Sequence, residues 1–174
     1  MKPAMKIAYT MAGQRGDLNL LLAGVAERLA GLGYRVCGSV QVDTDRTDRR
    51  RCDMDLRVLP GGRVIRISQD RGGGSRGCHL DGGALESAAG LVEAAVAQGC
   101  DMLIVNKFGK HEAEGRGFRQ VIAETAAAGL PVLVGVNALN EAAFLEFSGG
   151  LAVRLEASQA MLTHWLREAM AAVV

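Results

Sequence analysis

Strand-like and helix-like segments alternate along almost the whole chain, and this alternation limits the fold more than any other feature of the sequence. Runs over 6–10, 34–41, 101–106, 131–136 and 151–155 have the apolar character of strands. Between and after them, 18–32, 84–98, 118–128, 141–147 and 158–172 carry helical patterning, and Gly33 stands where the first helix should stop. The run 101–106 is apolar between its polar ends, as expected of a strand covered on both faces. Two further segments, 52–58 and 63–68, alternate about Pro60-Gly61-Gly62 and read as a β-hairpin. The pattern predicts an α/β fold of three layers: a mostly parallel sheet flanked by helices, with one inserted hairpin. No linker or internal repeat divides the 174 residues, so a single domain over 1–174 is expected.

Composition agrees with such a core. Apolar residues make up 49% of the chain and aromatic residues only 4%, so Ala, Val, Leu and Ile must fill the interior. A net charge of +1 excludes a general nucleic-acid surface and leaves anion binding to local clusters. Apolar runs fall short of the ~20 residues that span a bilayer. The N-terminus does not read as a signal peptide, and Cys37, Cys52, Cys78 and Cys100 are widely spaced. That spacing argues against structural zinc, and a reducing, cytoplasmic setting is expected.

The loops after the strands carry the candidate chemistry. In open α/β sheets ligands bind beyond the carboxyl ends of the strands, and the first strand-to-helix loop is the usual phosphate site. Here that loop is residues 11–18, with the length of the pattern G-x-x-x-x-G-K-[ST]. Met11 replaces its first glycine, Gly13 stands nearby, Gly16 fits, and Asp17 and Leu18 replace the lysine and the hydroxyl residue. Those two groups normally neutralise phosphate charge and ligate Mg²⁺. Asp17 would repel a triphosphate and reads equally well as the cap of a helix beginning at Leu18. Gly13, Gln14, Arg15 and Gly16 still offer main-chain N–H groups and one guanidinium to an anion.

A second loop, 69–83, is glycine-rich and carries Arg71 and Arg76, forked donors suited to an oxyanion. Cys78 and His79 lie in it, although packing explains both. Asp53 and Asp55 share one face of a strand, where solubility at a sheet edge accounts for them. The third loop, 107–117, follows the central strand and contains Lys107, Lys110, Glu112 and Glu114.

The stretch from Asn106 through Lys107, Gly109, Lys110 and Glu112 resembles a nucleoside-triphosphatase family of the P-loop class. In that family the strand runs into Asp-Glu-x-Gly-Lys-x-Glu. Asn106 and Lys107 replace the two acids, while Gly109, Lys110 and Glu112 match. A larger resemblance is to a bacterial family of domains without assigned chemistry, often encoded beside molybdate-transport and molybdenum-enzyme genes. It rests on Cys52-Asp53-Met54-Asp55-Leu56, Ile67-Ser68-Gln69-Asp70, Arg76-Gly77-Cys78-His79-Leu80-Asp81, Val105 to Lys110 and Glu112 to Phe118, within 34–147. These resemblances imply a P-loop-NTPase-like fold with degenerate nucleotide motifs and a molybdenum-linked role.

Four positions that serve hydrolysis depart together: Asp17, Leu18, Asn106 and Lys107. The leading expectation is therefore a non-hydrolysing accessory protein that binds an oxyanion (molybdate or tungstate) or a nucleotide. Gly13, Gln14, Arg15, Gly16, Arg71, Arg76, Asn106, Lys107 and Lys110 are the expected ligand contacts. An enzyme reading, a weak Mg²⁺-dependent nucleoside triphosphatase or phosphotransferase, would rely on Glu112 or Glu114. A regulatory module binding a molybdenum-transport or molybdenum-enzyme protein is the third reading, with the apolar stripe of the last helix as its contact. A homo-oligomer is compatible with all three.

Overall fold

The computed structural model of the chain describes residues 4–14, 16–45, 52–69 and 79–172. In chain order the first elements are β1 (Ile7–Thr10), α1 (Asp17–Gly31), β2 (Val36–Asp45), β3 (Cys52–Leu59) and β4 (Val64–Arg66). Next come β5 (Ser68–Gln69), β6 (His79–Leu80), α2 (Gly82–Ala97), β7 (Met102–Phe108), α3 (Lys110–Ala113) and α4 (Arg119–Ala127). The chain then forms β8 (Val132–Val136), a 3-10 turn (Ala138–Asn140), α5 (Glu141–Phe147), β9 (Val153–Leu155) and α6 (Gln159–Ala171).

One seven-stranded sheet runs β4-β3-β2-β7-β8-β1-β9. Its five strands from β2 to β9 are parallel, and β3 and β4 add an antiparallel edge beside β2. Buried strands of Val, Leu and Ile need cover on both faces, and the helices supply it. On one face, α1 and α6 set Leu22, Val25, Leu29, Leu162 and Leu166 against Ala8, Ile104 and Leu133. On the other, α2, α4 and α5 set Leu85, Val92, Ile122 and Phe144 against Leu103, Val105 and Val134. The few aromatic residues gather at one place. Phe144 lies 5.3 Å from Tyr9 and 5.2 Å from Phe108 between ring centroids, which anchors the carboxyl end of β7.

Three boundaries differ from the sequence reading. The second strand continues past 41 to Asp45, because Val42, Asp43 and Thr44 pair with β3 and so satisfy their main-chain groups outside the parallel core. The expected strand 63–68 breaks at Ile67. That residue is buried, its N–H donating to Met54 O at 2.8 Å, and the chain resumes as β5, paired with β6 rather than with the hairpin. The central strand runs two residues beyond Asn106, since buried Phe108 pairs with Val136 after a bulge. What read as a loop over 107–117 therefore holds a strand end and a helical turn. Of the charged loop after β2, residues 46–51 lie outside the described residues, as do 70–78 of the glycine-rich loop.

At Gly38 the backbone of β2 has φ +132°, and a Cβ there would stand 1.7 Å from Ile104 O of the neighbouring strand. A side chain is excluded by both space and conformation. Gly38→Ala is expected to cost roughly 3–5 kcal/mol, the upper range for one substitution. Urea unfolding checks this, and a loss below about 1 kcal/mol would contradict this approach of β2 to β7.

Candidate functional site

The carboxyl ends of β2 and β7, the start of α2 and the α3 turn enclose a cleft of about 510 Å³. One wall is apolar, formed by Met54, Leu56, Ile67, Leu80, Leu85 and Phe118. The other is polar and charged, formed by Lys107, Lys110, His111, Glu112, Glu114 and Arg116, with Asn137 and Asn140 at one end. The first turn of α2 meets this wall directly. A Cβ on Gly82 would lie 3.0 Å from His111 Cε1, so the helix starts in close contact with that ring. Asp81 caps that start, its carboxylate accepting from Ala84 N–H at 3.1 Å.

Glu112 is the most constrained group of the cleft. It sits at the third position of α3 and reaches back, Oε1 accepting the Gly109 N–H at 3.3 Å. The residue is 3% exposed, and its Oε2 has no hydrogen-bond partner among the described residues. Gly117, with φ +62°, makes room for that oxygen, since a Cβ there would stand 2.5 Å from it. Burial pushes the carboxyl from the ordinary 4.5 up to about 7, and Glu86 adds to the rise while the Gly109 N–H and Lys107 oppose it. Glu86 itself accepts the Gly117 N–H at 2.6 Å and lies 3.6 Å from His111 Nε2.

The other expected contacts divide into three groups. Asn106, Lys107, Lys110, Glu112 and Glu114 line the cleft. The Asn106 side chain is buried in a polar network. Its Oδ1 accepts Gln41 N–H at 3.1 Å, its Nδ2 donates to Asn19 Oδ1 at 2.8 Å, and Asn19 and Gln41 both donate to Asp43. Lys107 is exposed at the strand end, Lys110 extends to within 3.9 Å of Glu114, and Glu114 also pairs with Arg116. Gly13, Gln14 and Gly16 lie in the β1–α1 loop and do not line the cleft. Arg15, Arg71 and Arg76 lie outside the described residues.

In the β1–α1 loop the expected cap is corrected. Gly16, at φ 86°, occupies the cap position without a side-chain bond, and Asp17 is the first residue of α1. An acid in the first turn still complements the helix dipole. Leu18 turns inward and packs against the α1 face of the sheet, where a Cβ on Gly135 would come within 2.9 Å of its Cδ2. A leucine side chain offers a metal no donor atom. The Asp53–Asp55 pair faces Arg66, whose guanidinium lies 3.3 Å from one and 2.5 Å from the other. No group of three or more His, Cys, Asp and Glu among the described residues is placed to hold a metal ion. His79 Nε2 is buried without a partner among them, while Cys78 lies outside them.

Sequence reasoning missed Glu86, His111, Arg116, Asn137 and Asn140. His111 and Arg116 stand within the run 107–117 beside the residues singled out there, whereas Glu86, Asn137 and Asn140 come from a helix and a distant loop that no local spacing groups with them.

Residues 7–165 match the model of a family described as "Protein of unknown function (DUF2478)". The chain belongs to this family. It is also 35% identical over 165 residues to a molybdenum import ATP-binding protein, ModC 2, of Bradyrhizobium diazoefficiens. The match takes in 94% of this chain and 18% of that protein, so it concerns a small part of a much longer relative. The fold is similar to the crystal structure of THEP1 from the hyperthermophile Aquifex aeolicus, with a TM-score of 0.61 at 16% identity. That likeness extends over 98% of this chain and 97% of the other, and it shows a shared α/β fold with a mostly parallel sheet flanked by helices. No helix among the described residues is long and apolar enough to cross a membrane.

The raised carboxyl of Glu112 links stability to pH. The folded chain holds this proton up to about pH 7, whereas the unfolded chain releases it near the ordinary 4.5. Its contribution is therefore full below about 4.5 and is lost as pH rises through 7, a change of about 3 kcal/mol. Glu112→Gln should remove that part of the pH dependence and stabilise the fold at pH 8 by about 1–3 kcal/mol. Chemical denaturation of both proteins from acid to mildly alkaline pH reads this directly. Parallel profiles would show that Glu112 is not the group responsible.

Proposed function

We propose that the chain is a non-hydrolysing accessory protein of molybdenum metabolism that binds an oxyanion, or the phosphate of a nucleotide, in this cleft. The observation that carries the reading is the convergence of Lys107, Lys110 and Arg116 with the start of α2 on one side of a cleft whose other side is apolar. Cations attract an anion, and the start of α2 adds those N–H groups that Asp81 does not already engage. The cleft is far larger than a bare tetrahedral anion needs and has the size of small-ligand sites. A nucleotide or another organic oxyanion, with its body on the apolar wall, uses that space fully. The N–H groups of Gly13, Gln14 and Gly16 do not line the cleft and are proposed, with Arg15, to meet an anion at the β1–α1 loop instead; Arg71 and Arg76 are proposed as further contacts.

Two features argue against turnover. The hydroxyl position of the phosphate loop is Leu18, half-buried against the sheet, and Asn106 spends its side chain on Gln41 and Asn19. The molybdenum connection comes from the ModC 2 relative. In that relative a segment like this one is joined to a longer chain, which supports a role beside a transport ATPase in the cytoplasm. Glu112 favours one other reading, a weak nucleoside triphosphatase, because a carboxyl poised near neutrality suits a general base. Mg²⁺-dependent phosphate release that disappears in Glu112→Gln would establish that reading in place of simple binding.

The test is a thermal-melting series with molybdate, tungstate, sulfate, phosphate, ATP and GTP, with and without Mg²⁺. A ligand of the folded state raises the melting temperature by mass action, by about 2.7 kcal/mol of stability at a hundred times its Kd. Stabilisation is expected from an oxyanion or a nucleotide, and the double variant Lys107→Ala, Lys110→Ala should weaken it at least tenfold in affinity. Full binding by that variant would remove the cleft from consideration.

A further inference from the structure

At the amino end of the sheet two thiols meet in the core, and neither lines the cleft. Cys37 stands near the start of β2, and Cys100 just ahead of β7. Cys37 belongs to the core on the α2 side of the sheet, and Cys100 packs against that same core. Gly99, with φ +121°, bends the chain immediately before Cys100. Arg35 pins this turn to β2. Its guanidinium donates to the Gly99 carbonyl, its main-chain N–H donates to Asp101 Oδ2 at 2.7 Å, and its carbonyl accepts the Asp101 N–H at 3.0 Å. Direct contact of the thiols follows. Cys37 Sγ lies 3.8 Å from Gly99 O, the carbonyl bonded to the Cys100 nitrogen, and Cys100 Sγ lies 3.0 Å from Met102 O. The two side chains hydrogen-bond each other, and both thiols are free.

We propose that Cys37 and Cys100 are a redox pair, which a hydroperoxide converts to a disulfide tying β2 to the segment that leads into β7. The modification is independent of what the cleft binds. Two thiols in contact on pinned neighbouring segments already have the short approach that disulfide closure needs. The pair also divides the chemical roles. The Cys100 S–H holds Cys37 below the ordinary thiol value, with burial opposing and Arg35 assisting, while Cys100 is pushed up. Cys37 is thus the thiolate and Cys100 the resolving thiol. Cys37 is fully buried and Cys100 partly exposed, so a small oxidant entering past Cys100 is the kind that meets the reactive sulfur. The Cys37 sulfur attacks one peroxide oxygen, the O–O bond breaks, and the departing oxygen takes a proton. The Cys100 sulfur then attacks the resulting sulfenic acid. The S–O bond breaks, the S–S bond forms, and the hydroxyl leaves as water with the Cys100 proton. The two thiols give up two electrons and the peroxide accepts them. A dithiol reverses the change by exchange.

The experiment treats the folded full chain with a small excess of hydrogen peroxide, blocks the remaining thiols, and maps a digest without reduction. Trypsin isolates Cys37 in 36–46 but leaves Cys78 and Cys100 together in 77–107, and a glutamate-specific protease separates those two at Glu86 and Glu93. Expected is a linked peptide joining 36–46 to 94–107, lost on adding dithiothreitol. It should form at least about tenfold faster in the folded chain than in urea, because the fold lowers the Cys37 value and holds the partners together. Cys100→Ala should halt the reaction at Cys37 as a sulfenic acid that dimedone traps. Cys37→Ala should leave no link to Cys100 from that strand. Absence of the linked peptide, linkage no faster than in urea, or a dimedone adduct on Cys37 of the unaltered chain that never becomes a disulfide overturns the pair. The map of the unaltered chain decides the matter even where a variant does not fold.

Discussion

The buried amide of Asn106 ties three elements together at the carboxyl end of the central strand, beside the cleft. It accepts from the main chain of β2 and donates to Asn19 of α1, and both neighbours close the network on Asp43. Each bond is modest in net terms, about 1 kcal/mol. Breaking one would leave a buried polar group unsatisfied, which costs more than the bond contributes. A neutral amide suits this place because it both donates and accepts. A carboxylate here could accept only, and its charge would need a cation close by. The network therefore fixes where β7 ends relative to α1 and β2, and with it the point at which Lys107 and α3 emerge.

Close backbone approach is the complement of that network. Gly38 and Gly135 flank β7, and a Cβ on either would collide with carbonyl oxygens of that strand, at 1.7 Å and 2.1 Å. The absence of side chains brings β2 and β8 tightly against the central strand and lets Leu18 and Leu22 settle over Gly135. The position that serves a metal in a working phosphate loop is thus part of the apolar packing. The leucine at this position and the tight packing of α1 are here one structural fact. On the opposite face the sheet edge stays open, and the cleft forms there, between α2 and the α3 turn.

Much of the fold was legible along the chain. The period of the apolar residues and the turn glycines separated strands from helices, and the alternation implied a parallel sheet with a helix layer on each side. The shortfalls came where pairing, not propensity, set the boundary. Asp43 and Thr44 read as loop but lie in β2 because β3 offers them partners, and Lys107 reads as loop but extends β7 because Phe108 must be buried. Of the site, Lys107, Lys110, Glu112 and Glu114 were visible as a local cluster. His111 and Arg116 lay beside that cluster without a pattern of their own, and Glu86 and the two asparagines were not visible, since nothing near them in sequence marks them.

What the sequence determined by itself was the class of fold, because it depends on residue types at short, regular spacings. What only the tertiary structure decided was the state of each surviving group. Glu112 becomes a buried, half-satisfied acid because Gly117 closes over it and water is excluded, and Asn106 becomes a structural link because Gln41 and Asn19 reach it. Burial and partnership depend on residues tens of positions apart, and no local pattern encodes them.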